Sequence, residues 1–192
     1  NKPWGLILFK RNIKSLKQLK SLVQSIRKIT KDKYFPIMID EEGGAVTRIG
    51  RITKHNLYQK LFGDMYKINA KVSTTLYKKY LIDVISFLKN TGININTVPV
   101  LDVLRKNTNK IIGNRSFSED KTIVKNLGQI CIKYYQLNKI ATVIKHIPGH
   151  GCSSSDSHKK LPKVNLSIQN LNNIDFFPFK NNRSKFAMTA HI

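Results

Sequence analysis

Acidic residues are scarce in this chain. Its 192 residues hold 11 Asp and Glu against 34 Lys and Arg, a formal charge of +23. Such an excess attracts polyanions. Yet the basic residues are scattered from Lys2 to Lys185, with no block of five or more and no alternation with aromatics. A dedicated nucleic-acid face shows that kind of clustering. With Lys, Asn and Ile abundant throughout, the charge reads as drift in an AT-rich coding sequence, and no specific nucleic-acid partner is expected. Cysteine is nearly absent. Cys131 and Cys152 offer neither a disulfide framework nor a CxxC metal pair, which suits a reduced, cytoplasmic setting. No apolar run reaches the roughly 18 residues of a membrane span, and no membrane partner is expected. There is no GxGxxG or Walker loop and no GxSxG elbow, so nothing marks a dinucleotide, P-loop or α/β-hydrolase site. Internal repeats and low-complexity linkers are missing, and so is a recognisable signal peptide, in a chain that begins with Asn1 rather than Met.

What is present is an alternation of short apolar runs and amphipathic stretches. Trp4–Phe9, Tyr34–Asp40, Ile93–Val103, Ile140–Ile144 and Phe186–Ala190 read as strands. Between them Leu16, Leu19, Leu22, Val23, Ile26 and Ile29 recur at helical spacing behind an N-capping Ser15. Residues 70–90 and 120–138 repeat the pattern, and Leu166–Leu171 begins a shorter helix. Strands alternating with helices indicate parallel βαβ units, and continuous apolar runs suit strands buried on both faces. Asp40, Asp102, Lys145, His146 and His191 all fall at the C-terminal ends of expected strands. A (β/α)8 barrel builds its site there, whereas a doubly wound sheet binds at a strand-order switch. A barrel is the expected fold class, in one domain over residues 1–192. Only five strands are countable, so the barrel is expected to be incomplete.

The densest chemistry lies at 145–158, Lys-His-Ile-Pro-Gly-His-Gly-Cys-Ser-Ser-Ser-Asp-Ser-His. Pro148, Gly149 and Gly151 exclude a regular helix. Asp156 and His158 form a carboxylate–imidazole pair suited to general acid–base work. His146, His150 and His158, four and eight apart, have no helical convergence, so a metal site is disfavoured. Asp40-Glu-Glu-Gly-Gly44 follows the second strand; its three consecutive carboxylates cannot all point the same way. It reads equally as a sugar-binding end or an acidic turn. Arg115 sits in a loop after Asp102, where a guanidinium can grip an anion or a carbonyl.

These segments resemble those of the bacterial β-N-acetylglucosaminidases of glycoside hydrolase family 3. Asp40–Arg48 is similar to that family's D-x-E-G-G-x-V-x-R, and Val98–Val103 and Ile112–Phe117 to its A-P-V-L-D-V and I-G-x-R-x-[FY]. Lys145–His158 matches K-H-F-P-G-H-G-x4-D-S-H at every spacing, and Ala190-His191 resembles a later P-A-H. Ala45 and Asn114 depart from it, standing where the family often has Arg and an acid. The resemblance implies a TIM-type barrel that removes terminal β-linked N-acetylglucosamine from peptidoglycan fragments in the cytoplasm. It implies Asp40, Arg48, Arg115, Lys145 and His146 as sugar ligands. It also implies His158 as acid/base with Asp156 as its partner, a small-molecule glycan substrate, a monomer, and no metal or cofactor. The family's nucleophilic aspartate, on the strand after Ala-His, has no counterpart here. The chain is therefore expected to be truncated at both ends, spanning about strands two to six. The competing readings are a non-catalytic sugar-binding remnant and a basic nucleic-acid-binding protein.

Overall fold

The computed structural model describes residues 3–55, 57–106, 108–152 and 163–190. Five parallel strands form one sheet in chain order: β1 (Leu6–Leu8), β2 (Ile37–Ile39), β3 (Ile95–Asn96), β4 (Ala141–Ile147) and β5 (Phe186–Thr189). A doubly wound sheet reverses its order at a switch point. Here each crossover advances by one strand in one direction, as in a barrel wall. The wall curls until its two edges approach: Trp4, ahead of β1, meets Phe186 of β5 edge-on with ring centroids 5.7 Å apart. Among the described residues no ladder joins β1 to β5, so the barrel is partial.

Helices α1 (Leu16–Thr30), α2 (Gly50–Thr53), α3 (Gln59–Ile68), α4 (Ala70–Thr91), α5 (Lys121–Leu137) and α6 (Ile168–Asn173) fill the connections. The three longest start on local caps. Ser15 Oγ accepts the Gln18 N–H at 3.2 Å, Asn69 Oδ1 that of Val72 at 3.0 Å, and Asp120 Oδ1 that of Thr122 at 2.7 Å. Each cap satisfies a backbone donor that the first helical turn leaves orphaned. The apolar stripes then face the sheet: Leu19 and Val23 from α1, Tyr77, Leu81, Val84 and Leu88 from α4, Val124, Leu127, Cys131 and Tyr135 from α5. With Ile37 and Ile39 of β2 they form one buried cluster. Each such side chain contributes about 1.5–3 kcal/mol of burial.

Three features differ from the sequence reading. The run Ile93–Val103 pairs continuously only at Ile95 and Asn96. Beyond it Pro99 has no N–H for a ladder, and a side chain stands in for a strand. Gln59 Nε2 donates to the Val100 carbonyl at 3.0 Å, and the Val100 N–H donates to Gln59 Oε1 at 3.2 Å. Next, β4 continues past Ile144 to Ile147, because the Lys145 carbonyl accepts from the Leu101 N–H at 2.7 Å and Lys145 pairs with Met188. Lys145 and His146 are thus inside the strand rather than beyond it. Finally, α2 and α3 occupy a stretch to which that reading assigns no helix, although Leu61, Phe62, Met65 and Tyr66 recur there at helical spacing.

Candidate active site

The C-terminal ends of β2 and β4, with the loops after β2 and β3, bring one cluster of charges together. Side chains of a strand alternate in direction, and the Asp40-Glu41-Glu42 run keeps that alternation past the end of β2. Asp40 and Glu42 point to Lys145, while Glu41 points the other way, toward the backbone of Arg48. Lys145 Nζ lies 2.5 Å from Glu42 Oε1 and 3.5 Å from Asp40 Oδ1, and donates to Thr97 Oγ1 at 2.9 Å. Thr97 in turn donates its hydroxyl to Asp40. Arg48 Nη2 reaches Asp40 Oδ2 at 3.2 Å. Arg115 grips Glu42 with two bonds, Nε to Oε2 at 2.8 Å and Nη2 to Oε1 at 3.0 Å. Four of the chain's 11 acidic residues, Asp40, Glu41, Glu42 and Asp102, therefore stand in or beside this cluster.

His146 closes the group. Its Nδ1 is 2.7 Å from Asp102 Oδ2, and Arg115 Nη2 is 3.4 Å from its Nε2. A guanidinium can only donate. Nε2 is therefore the acceptor, and Nδ1 carries the proton that Asp102 receives. Asp102 also accepts the backbone N–H groups of His150 at 2.7 Å and His146 at 3.3 Å. Burial pushes the Asp102 carboxyl up, but the bonds from the His146 ring and these two amides outweigh it and leave the group below its ordinary range. Asp40 and Glu42 follow the same balance. Burial raises both, and the Lys145 charge, with Thr97 and Arg48 on one and Arg115 on the other, lowers them further than burial lifts. The Arg115 guanidinium is made less acidic despite its burial, because Glu42 accepts from it. The result is a nearly charge-balanced floor of fixed donors and acceptors. Lys145 and Glu42 are buried, while Asp40, Arg48, Arg115 and His146 stay partly exposed to a ligand. Glu42, Arg115 and Asn114 also line an adjoining cavity of about 260 Å³ with Tyr58, Gln59 and Lys110. Among the described residues no three His, Cys, Asp or Glu side chains are grouped to hold a metal ion.

Residues 4–192 match the glycosyl hydrolase family 3 N-terminal domain. The chain belongs to glycosyl hydrolase family 3. Over 205 residues it is 34% identical to beta-hexosaminidase A of Pseudoalteromonas piscicida, a match that covers 98% of this chain and 32% of that protein. It is 29% identical to the beta-hexosaminidase of Hydrogenovibrio crunogenus, over 98% of this chain and 53% of that one. The crystal structure of NagZ from Neisseria gonorrhoeae in complex with N-trifluoroacetyl-D-glucosamine is similar at a TM-score of 0.88 and 31% identity, covering 98% of this chain and 56% of that one. The chain thus spans between about a third and about half of the length of these relatives.

Within this family 3 chain, Asp40, Arg48, Arg115, Lys145 and His146 stand together as one cluster. Asp156, His158 and His191 lie outside the described residues. His150 makes its bond to Asp102 through its backbone N–H, and both of its buried ring nitrogens are without a partner among the described residues. Sequence reasoning left Glu42 and Thr97 without a role and saw Asp102 only as a strand end. The alternation of Asp40-Glu41-Glu42 is the signal for Glu42. Nothing local marks Thr97, whose partners Asp40 and Lys145 are 57 and 48 residues away.

Proposed function

We propose that this chain is the sugar-binding and acid/base part of a retaining β-N-acetylhexosaminidase. It removes terminal β-linked N-acetylglucosamine from peptidoglycan fragments carrying 1,6-anhydro-N-acetylmuramic acid, in cytoplasmic cell-wall recycling. The observation that carries the reading is the convergence of Asp40, Arg48, Arg115, Lys145 and His146 at the C-terminal ends of parallel strands. A sugar is neutral and dense in hydroxyls. A floor whose charges already compensate one another offers it strong donors and acceptors without an uncompensated buried charge. The relatives' names and the amino-sugar complex of the Neisseria protein support the same substrate class.

On this reading Asp40 accepts from ring hydroxyls, and Lys145, Arg48 and Arg115 donate to them. His146 is held by Asp102 with Nε2 as an acceptor. His158, paired with Asp156, gives its proton to the leaving oxygen while an aspartate outside these 192 residues attacks the anomeric carbon. It then takes a proton from the water that releases the sugar. The two steps balance: one glycosidic bond is broken, one water is consumed, and acid and nucleophile are regenerated. The test is hydrolysis of an aryl N-acetyl-β-glucosaminide by the polypeptide carrying both this chain and that aspartate. His158→Ala is expected to slow it by about 10²–10⁴-fold. Unchanged turnover rejects the acid/base assignment.

A further inference from the structure

Glu41 takes no part in the charge cluster, yet it is almost fully buried, at 2% exposure. No cation pairs with it among the described residues; its side-chain partners are backbone and a hydroxyl. Oε2 accepts the Arg48 N–H at 2.7 Å, the Ile49 N–H at 3.1 Å and the Thr47 hydroxyl at 3.1 Å, while Oε1 is buried with no partner among the described residues. Burying a carboxyl without a counter-ion is costly, and the bonds that offset part of that cost all come from the turn at Thr47–Ile49. Burial pushes the group up, and the Arg48 and Ile49 amides pull it only part of the way back. Its own backbone is clamped in turn. The Asn96 side chain accepts the Glu41 N–H at 2.9 Å and donates to the Glu41 carbonyl at 3.0 Å, and its Nδ2 also donates to Tyr135 Oη at 2.8 Å.

At the far end of this chain of contacts the Arg48 side chain has little to steer it. One nitrogen meets Asp40, Nε has no partner among the described residues, and the guanidinium carbon stands 5.9 Å from the Phe9 ring centroid. Its aim is therefore set mainly by the backbone from which it leaves. We propose that Glu41 is a positioning residue for Arg48, its carboxyl anchoring the turn that delivers the guanidinium to Asp40 and thereby setting the affinity for the amino sugar. The proposal rests on the reading of Arg48 as a sugar ligand. A role confined to starting α2 would fit the same three bonds but would make any effect of Glu41 on sugar affinity independent of Arg48.

Titration of the chain with N-acetylglucosamine, followed by NMR, separates the two. Glu41→Ala is expected to weaken binding by about tenfold, the scale of one lost charge-assisted contact. Glu41→Gln, whose amide oxygen accepts the same bonds, is expected to stay within about threefold of the wild type. In an Arg48→Ala background Glu41→Ala is expected to add nothing, since the group it acts through is gone. If Glu41→Ala does not fold, Glu41→Asp takes its place; its carboxyl ends one methylene short of the turn, and the same loss is expected. Equal weakening by Glu41→Ala with and without Arg48 overturns the proposal, and so does a folded Glu41→Ala of wild-type affinity. Unchanged affinity in Arg48→Ala alone overturns the sugar-ligand reading and this proposal with it, a result distinct from the other two.

Discussion

Lys145→Met removes the cation at the centre of the cluster while nearly conserving side-chain volume. In the folded chain Lys145 and Glu42 have side chains 2% and 1% exposed, 2.5 Å apart, so water cannot replace the lost partner. Removing one member of a buried ion pair costs about 3–5 kcal/mol. Arg115 keeps its two bonds to Glu42 and Arg48 keeps its contact with Asp40, which puts the cost at the lower end, about 3 kcal/mol. For a chain of this size each kcal/mol shifts the melting temperature by about 2–4 °C, so a fall of about 6–12 °C is expected at pH 7. The pH dependence tests the cause. Burial lifts the Asp40 and Glu42 carboxyls, and the Lys145 charge is the first of the interactions that bring them below their ordinary values. Depressed carboxylates contribute stability above the unfolded value of about 4 and lose it as the pH falls through the folded value. The gap between wild type and variant is therefore expected to be widest at neutral pH and to narrow below about pH 4. Calorimetric melts across pH 3–8 make the comparison. A fall of less than about 2 °C at pH 7, or a gap that persists unchanged in acid, refutes the reasoning.

Three further outcomes follow from single contacts. In Gly63→Ala the new Cβ would stand 1.8 Å from the Phe117 carbonyl oxygen, so α3 must back away from the Arg115 loop. A loss of about 1–3 kcal/mol is expected in urea unfolding, and an unchanged midpoint refutes this packing. Gln59→Leu leaves the Val100 N–H and carbonyl, and the carbonyl of Arg115, without their side-chain partner. At about 1–3 kcal/mol for each unpaired group, the Val100 amide is expected to exchange with solvent at least tenfold faster, measured by hydrogen exchange. Asp102→Asn can turn a donor toward His146 Nδ1, which moves the ring proton to Nε2, opposite the Arg115 donor. Nitrogen NMR of His146 is expected to report Nδ1–H in the wild type and Nε2–H in the variant, with weaker sugar binding; the same tautomer in both contradicts the orienting role of Asp102.

Much of the architecture was legible because its signals are local. The spacing of Leu16, Leu19, Val23 and Ile26 and the hydroxyl of Ser15 specify α1 within its own turns, and α4 and α5 are readable for the same reason. Strand existence followed from apolar runs, but strand extent did not. Whether Pro99 and Val100 join a ladder depends on Gln59, 41 residues from Val100, and whether β4 stops at Ile144 depends on what stands beside Lys145. The candidate site divides in the same way. Asp40, Arg48, Arg115, Lys145 and His146 were visible through ordered motifs, whereas the part played by Thr97 exists only where two distant segments meet.

The scarcity of acid that distinguishes this chain acquires a location in the folded protein. Composition and periodicity alone determined an alternating α/β pattern, the helices, and parallel strands ending in polar residues, because each of these depends on neighbours within a few residues. Only tertiary structure decided that Asp40 and Glu42 face a lysine while Glu41 faces a turn. Lys145 is 105 residues from Asp40, and a strand's alternation says that neighbours diverge without saying what each will meet. The charge balance of the cluster, and with it the lowered carboxyls of Asp40 and Glu42, follows from that meeting.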